Sequence, residues 1–211
     1  MDLSFPLAAV SPTLDAGVLQ VLASTTSGCT AAELHRRLGR GSDEGVRKVL
    51  GRLVRQGVVV SDRSTRYSVY SLNRDHVAAP YIEALARVRV EIIQRIGAEI
   101  DGWQISPLHA GLFGSFARGR ADSDSDIDVL LVRPSFDGQG REDTEELWLE
   151  QIDRLGRRIR SWTGNHAQII DLTHTTLQQM DRDGDPLVES WRADGIPVHG
   201  GRLVDVLRGS R

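Results

Sequence analysis

At 211 residues the chain is long for one minimal domain and short for three, so two domains are expected. Its apolar share of 40% and charged share of 26% are those of a globular protein and exclude a disordered or fibrous chain. No apolar run approaches the ~20 residues that span a bilayer, and Met1 to Val10 lacks the basic start of a secretory signal, so no membrane association and a cytoplasmic location are expected. The single cysteine, Cys29, excludes an intrachain disulfide and a multi-thiolate zinc site, leaving oxygen and nitrogen ligands for any metal. The net charge of −3 conceals an asymmetry: residues 30 to 70 hold nine basic against four acidic side chains, a local excess suited to a polyanion.

Leu14, Val18, Val21 and Leu22 recur at helical spacing, which predicts a first helix over residues 13 to 24. Thr30 followed by Glu33 is a capping-box pattern for a short second helix with Ala31, Leu34 and Leu38 buried. Ser42 or Asp43 caps a third helix, in which Val46, Val49, Leu50 and Leu53 form the core stripe and Arg47, Lys48, Arg52 and Arg55 lie opposite. Glu44 shares that cationic side and opposes a phosphate contact. Val58 to Val60 and the alternating Arg66 to Tyr70 flank Ser61 to Thr65 as a β-hairpin with Arg63 at its tip.

The order helix, helix, turn, helix, basic hairpin over residues 12 to 73 resembles the winged helix-turn-helix regulators of the ArsR and MarR type. The resemblance implies binding to double-stranded DNA, with Arg47, Lys48 and Arg52 facing the groove and Arg63 and Arg66 reaching a phosphate or the minor groove. The same residues also suit a protein-docking module with a solvated arginine face. Residues 76 to 100 place Ile82, Leu85, Val88, Ile92 and Ile96 at helical spacing, which predicts one long amphipathic connecting helix. It either pairs with its twin in a homodimer or packs the two domains together. The expected divisions are residues 1–75 for the DNA-binding domain, 76–104 for the connecting or dimerisation helix and 105–211 for the second domain.

The most specific pattern is Gly111-Leu112-Phe113-Gly114-Ser115-Phe116-Ala117-Arg118-Gly119, followed by Ser125-Asp126-Ile127-Asp128-Val129-Leu130. Gly114 permits close backbone approach to a triphosphate, and the Ser115 hydroxyl offers a donor to phosphate oxygens. Asp126 and Asp128, two apart on a strand, project from one face and make a platform for Mg²⁺. Gly119 allows the turn out, and Arg118 either touches phosphate or pairs with a nearby aspartate. Gly-Ser alone is an ordinary turn, and Asp-x-Asp alone is an ordinary start of a strand; their order and spacing together make the signal.

The combined pattern resembles the nucleotidyltransferase superfamily related to DNA polymerase β, closest to the minimal nucleotidyltransferases, including those paired with HEPN toxins. The resemblance implies an α+β protein whose second domain is an α/β nucleotidyltransferase fold with a mixed sheet. It also implies nucleotide binding by Gly114, Ser115, Arg118 and Gly119, and Mg²⁺ held by Asp126 and Asp128. ATP or another nucleoside triphosphate would be the substrate. Active relatives carry a third carboxylate on a neighbouring strand. Here that strand is His166 to Thr173, and either Asp171 completes the metal and catalytic set or Gln168 occupies the position with a neutral amide; side-chain alternation allows only one of them on the site's face.

The helix expected over residues 141 to 160 buries Trp148, Leu149, Ile152, Leu155 and Ile159. Asp181 to Asp185 reads as a turn, and a closing helix from Trp191, a short strand around Ile196 to Val198 and a terminal helix follow. Two functional expectations result. One is a DNA-binding protein that transfers a nucleoside monophosphate, AMP from ATP, to a hydroxyl acceptor on a HEPN-type toxin protein, an RNA or a small molecule, as an antitoxin-like regulator does. The other is a non-catalytic transcriptional regulator whose nucleotidyltransferase-fold domain senses nucleotide or docks a partner.

Overall fold

The structure is a computed structural model that describes residues 1–62, 67–136 and 140–208. The chain divides into two compact units, made in the main of Ser4–Arg89 and Val90–Arg211.

In the first unit a 3₁₀ turn, Pro6–Ala9, precedes α1 (Leu14–Ala23), β1 (Cys29–Thr30), α2 (Ala31–Leu38), α3 (Asp43–Arg55), β2 (Val59–Asp62), β3 (Val69–Leu72) and α4 (Ala79–Ala86). The capping box expected at α2 is formed: Thr30 Oγ1 accepts from the Glu33 amide at 3.3 Å and the Thr30 amide donates to Glu33 Oε2 at 2.8 Å. Gly39, in the left-handed region at φ 61°, ends the helix. Ser42 Oγ caps α3 by accepting from the Gly45 amide at 3.0 Å. Val46, Val49, Leu50 and Leu53 of α3 are buried with Val18, Leu22, Leu34 and Leu38, so each helical stripe meets the same core. The three strands form an antiparallel sheet in the order β1-β3-β2, with Val59 opposite Leu72.

The connecting segment is two helices rather than the single one expected, because α4 stops at Ala86 and α5 (Val88–Asp101) starts after Arg87. Arg87 lies at φ −93°, ψ 0°, outside the helical region, and its amide is shared between the carbonyls of Glu83 and Ala84. The apolar positions on the two sides serve different cores. Ala79 and Ile82 pack into the first unit, whereas Ile92, Ile96 and Ile100 are buried on α5.

The second unit continues with β4 (His109–Phe113), α6 (Gly114–Ala117), β5 (Ile127–Arg133), α7 (Arg141–Thr163), β6 (Ala167–Thr173), α8 (His174–Arg182), α9 (Pro186–Asp194), β7 (Ile196–His199) and α10 (Leu203–Leu207). Its sheet has the order β6-β5-β4-β7 and is mixed: β5 runs parallel to β6, and β4 is antiparallel to both β5 and β7. Leu130 and Val132 on one face pack with Leu177, Val188, Trp191 and Leu203 from α8, α9 and α10. Ile127, Val129 and Leu131 on the other face are fully buried on the side of α7, whose Trp148 reaches Asp171 of β6. The edge strand β7 carries Pro197, and its pairing with β4 is interrupted between Ala110 and Gly111. Helix α9 starts earlier than expected, at Pro186, with the Asp185 carboxylate accepting from the Leu187 amide at 2.9 Å. Among the described residues no helix is long and apolar enough to cross a membrane.

The buried stripe of α7 differs from the expected one at two positions. Leu149 is exposed, and Gln151 is buried instead. Gln151 Oε1 accepts from the amides of Gln104 and Ile105 at 2.9 and 3.2 Å, and its Nε2 donates to the Ile105 carbonyl at 3.1 Å. A polar side chain is stable there because it satisfies three backbone groups of the segment leading to β4. Gln151→Ala strands those groups, so urea unfolding is expected to show a loss of roughly 2–4 kcal/mol; a loss below about 0.5 kcal/mol means that the segment finds other partners.

Candidate active site

The end of β4 and the start of β5 meet where Phe113 pairs with Asp128. Gly114 follows at φ +68°, a conformation unfavourable to any residue with a side chain, and a Cβ there would sit 1.9 Å from Asp128 Oδ2. Glycine is therefore required twice over, for the turn and for room beside the carboxylate. Gly119, at φ +67° with open space around it, is required for the turn alone. Between them the short α6 carries Ser115, and the Ser115 carbonyl accepts from the Arg120 amide at 2.9 Å. Arg118 donates to Asp194 at the end of α9 at 3.3 Å in an exposed pair. Such a pair is worth about 0–1 kcal/mol, so little energy ties the Arg118 guanidinium to Asp194.

Asp126 is exposed just ahead of β5, and Asp128 is half-buried one residue into it. Burial pushes the Asp128 carboxyl above the usual carboxylate range, the charge of Asp126 adds to the rise, and Arg118 opposes it. The loop that delivers Asp126 is held by local hydrogen bonds. Ser125 Oγ donates to Asp122 Oδ1 at 2.7 Å, and the Asp124 amide donates to the same atom at 3.0 Å. These donors hold the Asp122 carboxyl below its ordinary value. Asn165, which the sequence reading missed, is buried beneath this loop, and its Nδ2 donates to the carbonyls of Asp122 and Ser125 at 3.1 and 2.8 Å. Its only sequence signal is its place after Gly164, which closes α7 in the left-handed region.

The structure brings Gln168, not Asp171, to Asp128. In the parallel pairing of β5 and β6, Asp128 is level with Gln168 and Leu131 with Asp171. Neighbours in register share a face, and positions three apart on one strand do not, so Asp171 points to the opposite side of the sheet. There it accepts from Trp148 Nε1 at 3.1 Å and lies 3.5 Å from Arg133 Nε. Burial raises its carboxyl, with Trp148 and Arg133 opposing. The expected third carboxylate is thus part of an ion pair under α7, and an exposed amide takes its place at the site.

Among the described residues no cluster of three or more His, Cys, Asp or Glu side chains could hold a metal ion. The donor set at this site is accordingly two hard carboxylates, Asp126 and Asp128. That set fits Mg²⁺, which keeps several waters and takes its other ligands from substrate phosphates. Residues 101–170 match the family model of the nucleotidyltransferase domain. The matched span includes Gly114, Ser115, Asp126, Asp128 and Gln168 and stops one residue short of Asp171. No curated protein matches the chain.

In the first unit three of the four cations singled out on α3, Arg47, Lys48 and Arg52, have an acidic partner. Arg47 Nε lies 2.7 Å from Asp43, Lys48 Nζ lies 2.7 Å from Glu44, and Arg52 pairs with Asp15 of α1. Glu44 thus neutralises a neighbouring lysine on the exposed face. Arg63 and Arg66 lie outside the described residues.

Two substitutions separate these roles. Asn165→Ala, by loosening the loop that carries Asp126, is expected to weaken Mg·ATP binding about tenfold, whereas Asp171→Asn leaves it within about twofold. Calorimetric titration of both variants checks this, and the reverse ranking would return Asp171 to the site.

Proposed function

We propose that the nucleotidyltransferase domain binds a nucleoside triphosphate with Mg²⁺ and transfers its nucleoside monophosphate to a hydroxyl acceptor, while the first unit binds double-stranded DNA as a winged helix-turn-helix. The observation that carries the first part is the Asp126–Asp128 pair set against Gly114, where the absent side chain leaves the Asp128 oxygen open to a phosphate-bound cation. In transfer, the acceptor oxygen bonds to the α-phosphorus as the bond to pyrophosphate breaks, and the hydroxyl proton passes to water. Asp126 and Asp128 would hold Mg²⁺, which when bound would supply Lewis-acid stabilisation to the attacking oxygen and the leaving charge. Arg118, freed from Asp194, adds a donor to the phosphates. The Gln168 amide oxygen accepts a hydrogen bond from the acceptor hydroxyl but takes no proton. A HEPN-type toxin protein, if the adjacent gene encodes one, would be an acceptor suited to an antitoxin that also represses its own operon.

The position of Gln168 beside Asp128 favours a second reading, a regulator that binds nucleotide and does not turn it over. One assay separates the two: purified protein with Mg²⁺ and α-labelled ATP, with and without RNA or the product of the adjacent gene. Transfer is expected from the natural chain, with at least a hundredfold loss in the Asp126→Ala, Asp128→Ala double variant and a gain in Gln168→Asp. Magnesium-dependent ATP binding without any transfer sinks the transferase reading in favour of the regulator.

For DNA, the exposed pairs at Arg47 and Lys48 are weak enough to exchange for phosphate. In a homodimer two α3 helices would address half-sites one DNA turn apart. Replacing Arg47, Lys48 and Arg52 by alanine together should flatten the dependence of log affinity on log salt by about 0.9 per lost phosphate contact. An unchanged salt slope in a mobility-shift titration would assign the cationic face to another role.

A further inference from the structure

On the face of the sheet that carries Asp128 lies a cavity of about 300 Å³, lined in part by Phe113, the cross-strand partner of Asp128. Its walls include His109, Gly111 and Phe113 of β4, Leu130 of β5, Trp191 of α9 and Leu203 of α10. The shared face follows from the register, since Phe113 pairs with Asp128 and Gly111 with Leu130 across the β4–β5 ladder. Leu130 is two residues beyond Asp128, roughly 7 Å along the strand. A single ribose bridges that interval between a phosphate and a base.

The walls combine aromatic and apolar side chains, Phe113 and Trp191 meeting edge to face at 5.8 Å between ring centroids, with two arginines, Arg192 and Arg202. Two uncharged polar groups also belong to these walls. The indole N–H of Trp191 is buried, on a residue only 3% exposed, and has no hydrogen-bond partner. Leaving such a donor unpaired costs about 1–3 kcal/mol, which an acceptor entering the cavity would recover. His109, 4% exposed, has its Nδ1 3.0 Å from the Gly201 carbonyl. A carbonyl only accepts, so Nδ1 carries the proton, and burial keeps the ring neutral with Nε2 as an acceptor. Gly111 keeps that acceptor clear, because a Cβ at this position would stand 2.9 Å from His109 Nε2.

We propose that this cavity holds the nucleobase of the triphosphate, with Phe113 and Trp191 against the ring, the Trp191 N–H donating to a ring nitrogen or carbonyl, and His109 Nε2 accepting from an amino or imide N–H. Adjacent donor and acceptor groups occur on every common base, so the pair selects a nucleobase as a class. The volume is at the lower end of small-molecule sites and suits one planar group rather than an extended ligand. The proposal rests on the reading of Gly114 to Asp128 as the triphosphate site.

The test uses the full chain labelled with ¹⁵N at its four tryptophans, the Trp191 indole resonance being assigned through its contact with Phe113. It is titrated with AMP, GMP, CMP and UMP without metal, and separately with Mg·tripolyphosphate and Mg·ATP. At least one monophosphate should move the Trp191 resonance, and Mg·ATP should bind at least about tenfold tighter than Mg·tripolyphosphate. Gly111→Ala should abolish that difference while retaining tripolyphosphate affinity. Equal binding of the two triphosphates with Trp191 unmoved by all four monophosphates overturns the base pocket and leaves the triphosphate site standing. A moving Trp191 resonance without tripolyphosphate binding upholds the pocket and overturns the triphosphate site. No response to any of these probes overturns both.

Discussion

The parallel pairing of β5 with β6 governs the chemistry available to the second unit. Seven residue pairs lock the two strands from Ile127 with Ala167 to Arg133 with Thr173, and a shift of one place would turn every side chain of β6 to the other face. With the register as it stands, Gln168 is the neighbour of Asp128, and Asp171 joins Trp148 and Arg133 beneath α7. Both faces of β5 are buried apart from its ends, so slippage would place Asp128 in an apolar layer. The burial that fixes the strand thus also fixes the number of carboxylates at the site at two.

Placing two acids together at the start of a strand works against folding, since their like charges repel. The surrounding chain offsets this in three ways. Asp126 remains in water, Arg118 brings a compensating positive charge near Asp128, and the Asp122–Ser125 loop is held from below by Asn165. Gly114 supplies the remaining condition, an open side to the Asp128 carboxylate. A divalent cation would relieve the repulsion between the two aspartates, so the site is electrostatically prepared for one.

How much of this was legible in the sequence depended on the range of the interactions involved. The capping box at Thr30 and the Ser42 cap are set by residues within a turn, and they could be read directly. The choice between Gln168 and Asp171 depends on a pairing forty residues distant, about which periodicity within β6 carries no information. The burial expected of Leu149 differs for a similar reason: the partners of Gln151 at Gln104 and Ile105 make a polar residue stable inside, while the apolar Leu149 faces out. The helical spacing of residues 76 to 100 was real, but an interruption at Arg87 preserves it on both sides and leaves no mark in the pattern.

The edge strand β7 has a consequence for how copies of this protein can associate. Its four residues include Pro197, which has no amide hydrogen to donate, and its ladder with β4 is already irregular. A foreign strand aligning there would find too few matched donors and acceptors to extend the sheet. Sheet-to-sheet polymerisation, the common hazard of an open-edged fold, is therefore blocked along one margin by covalent chemistry, and β6 is the margin where surface charge and side-chain bulk must guard against it.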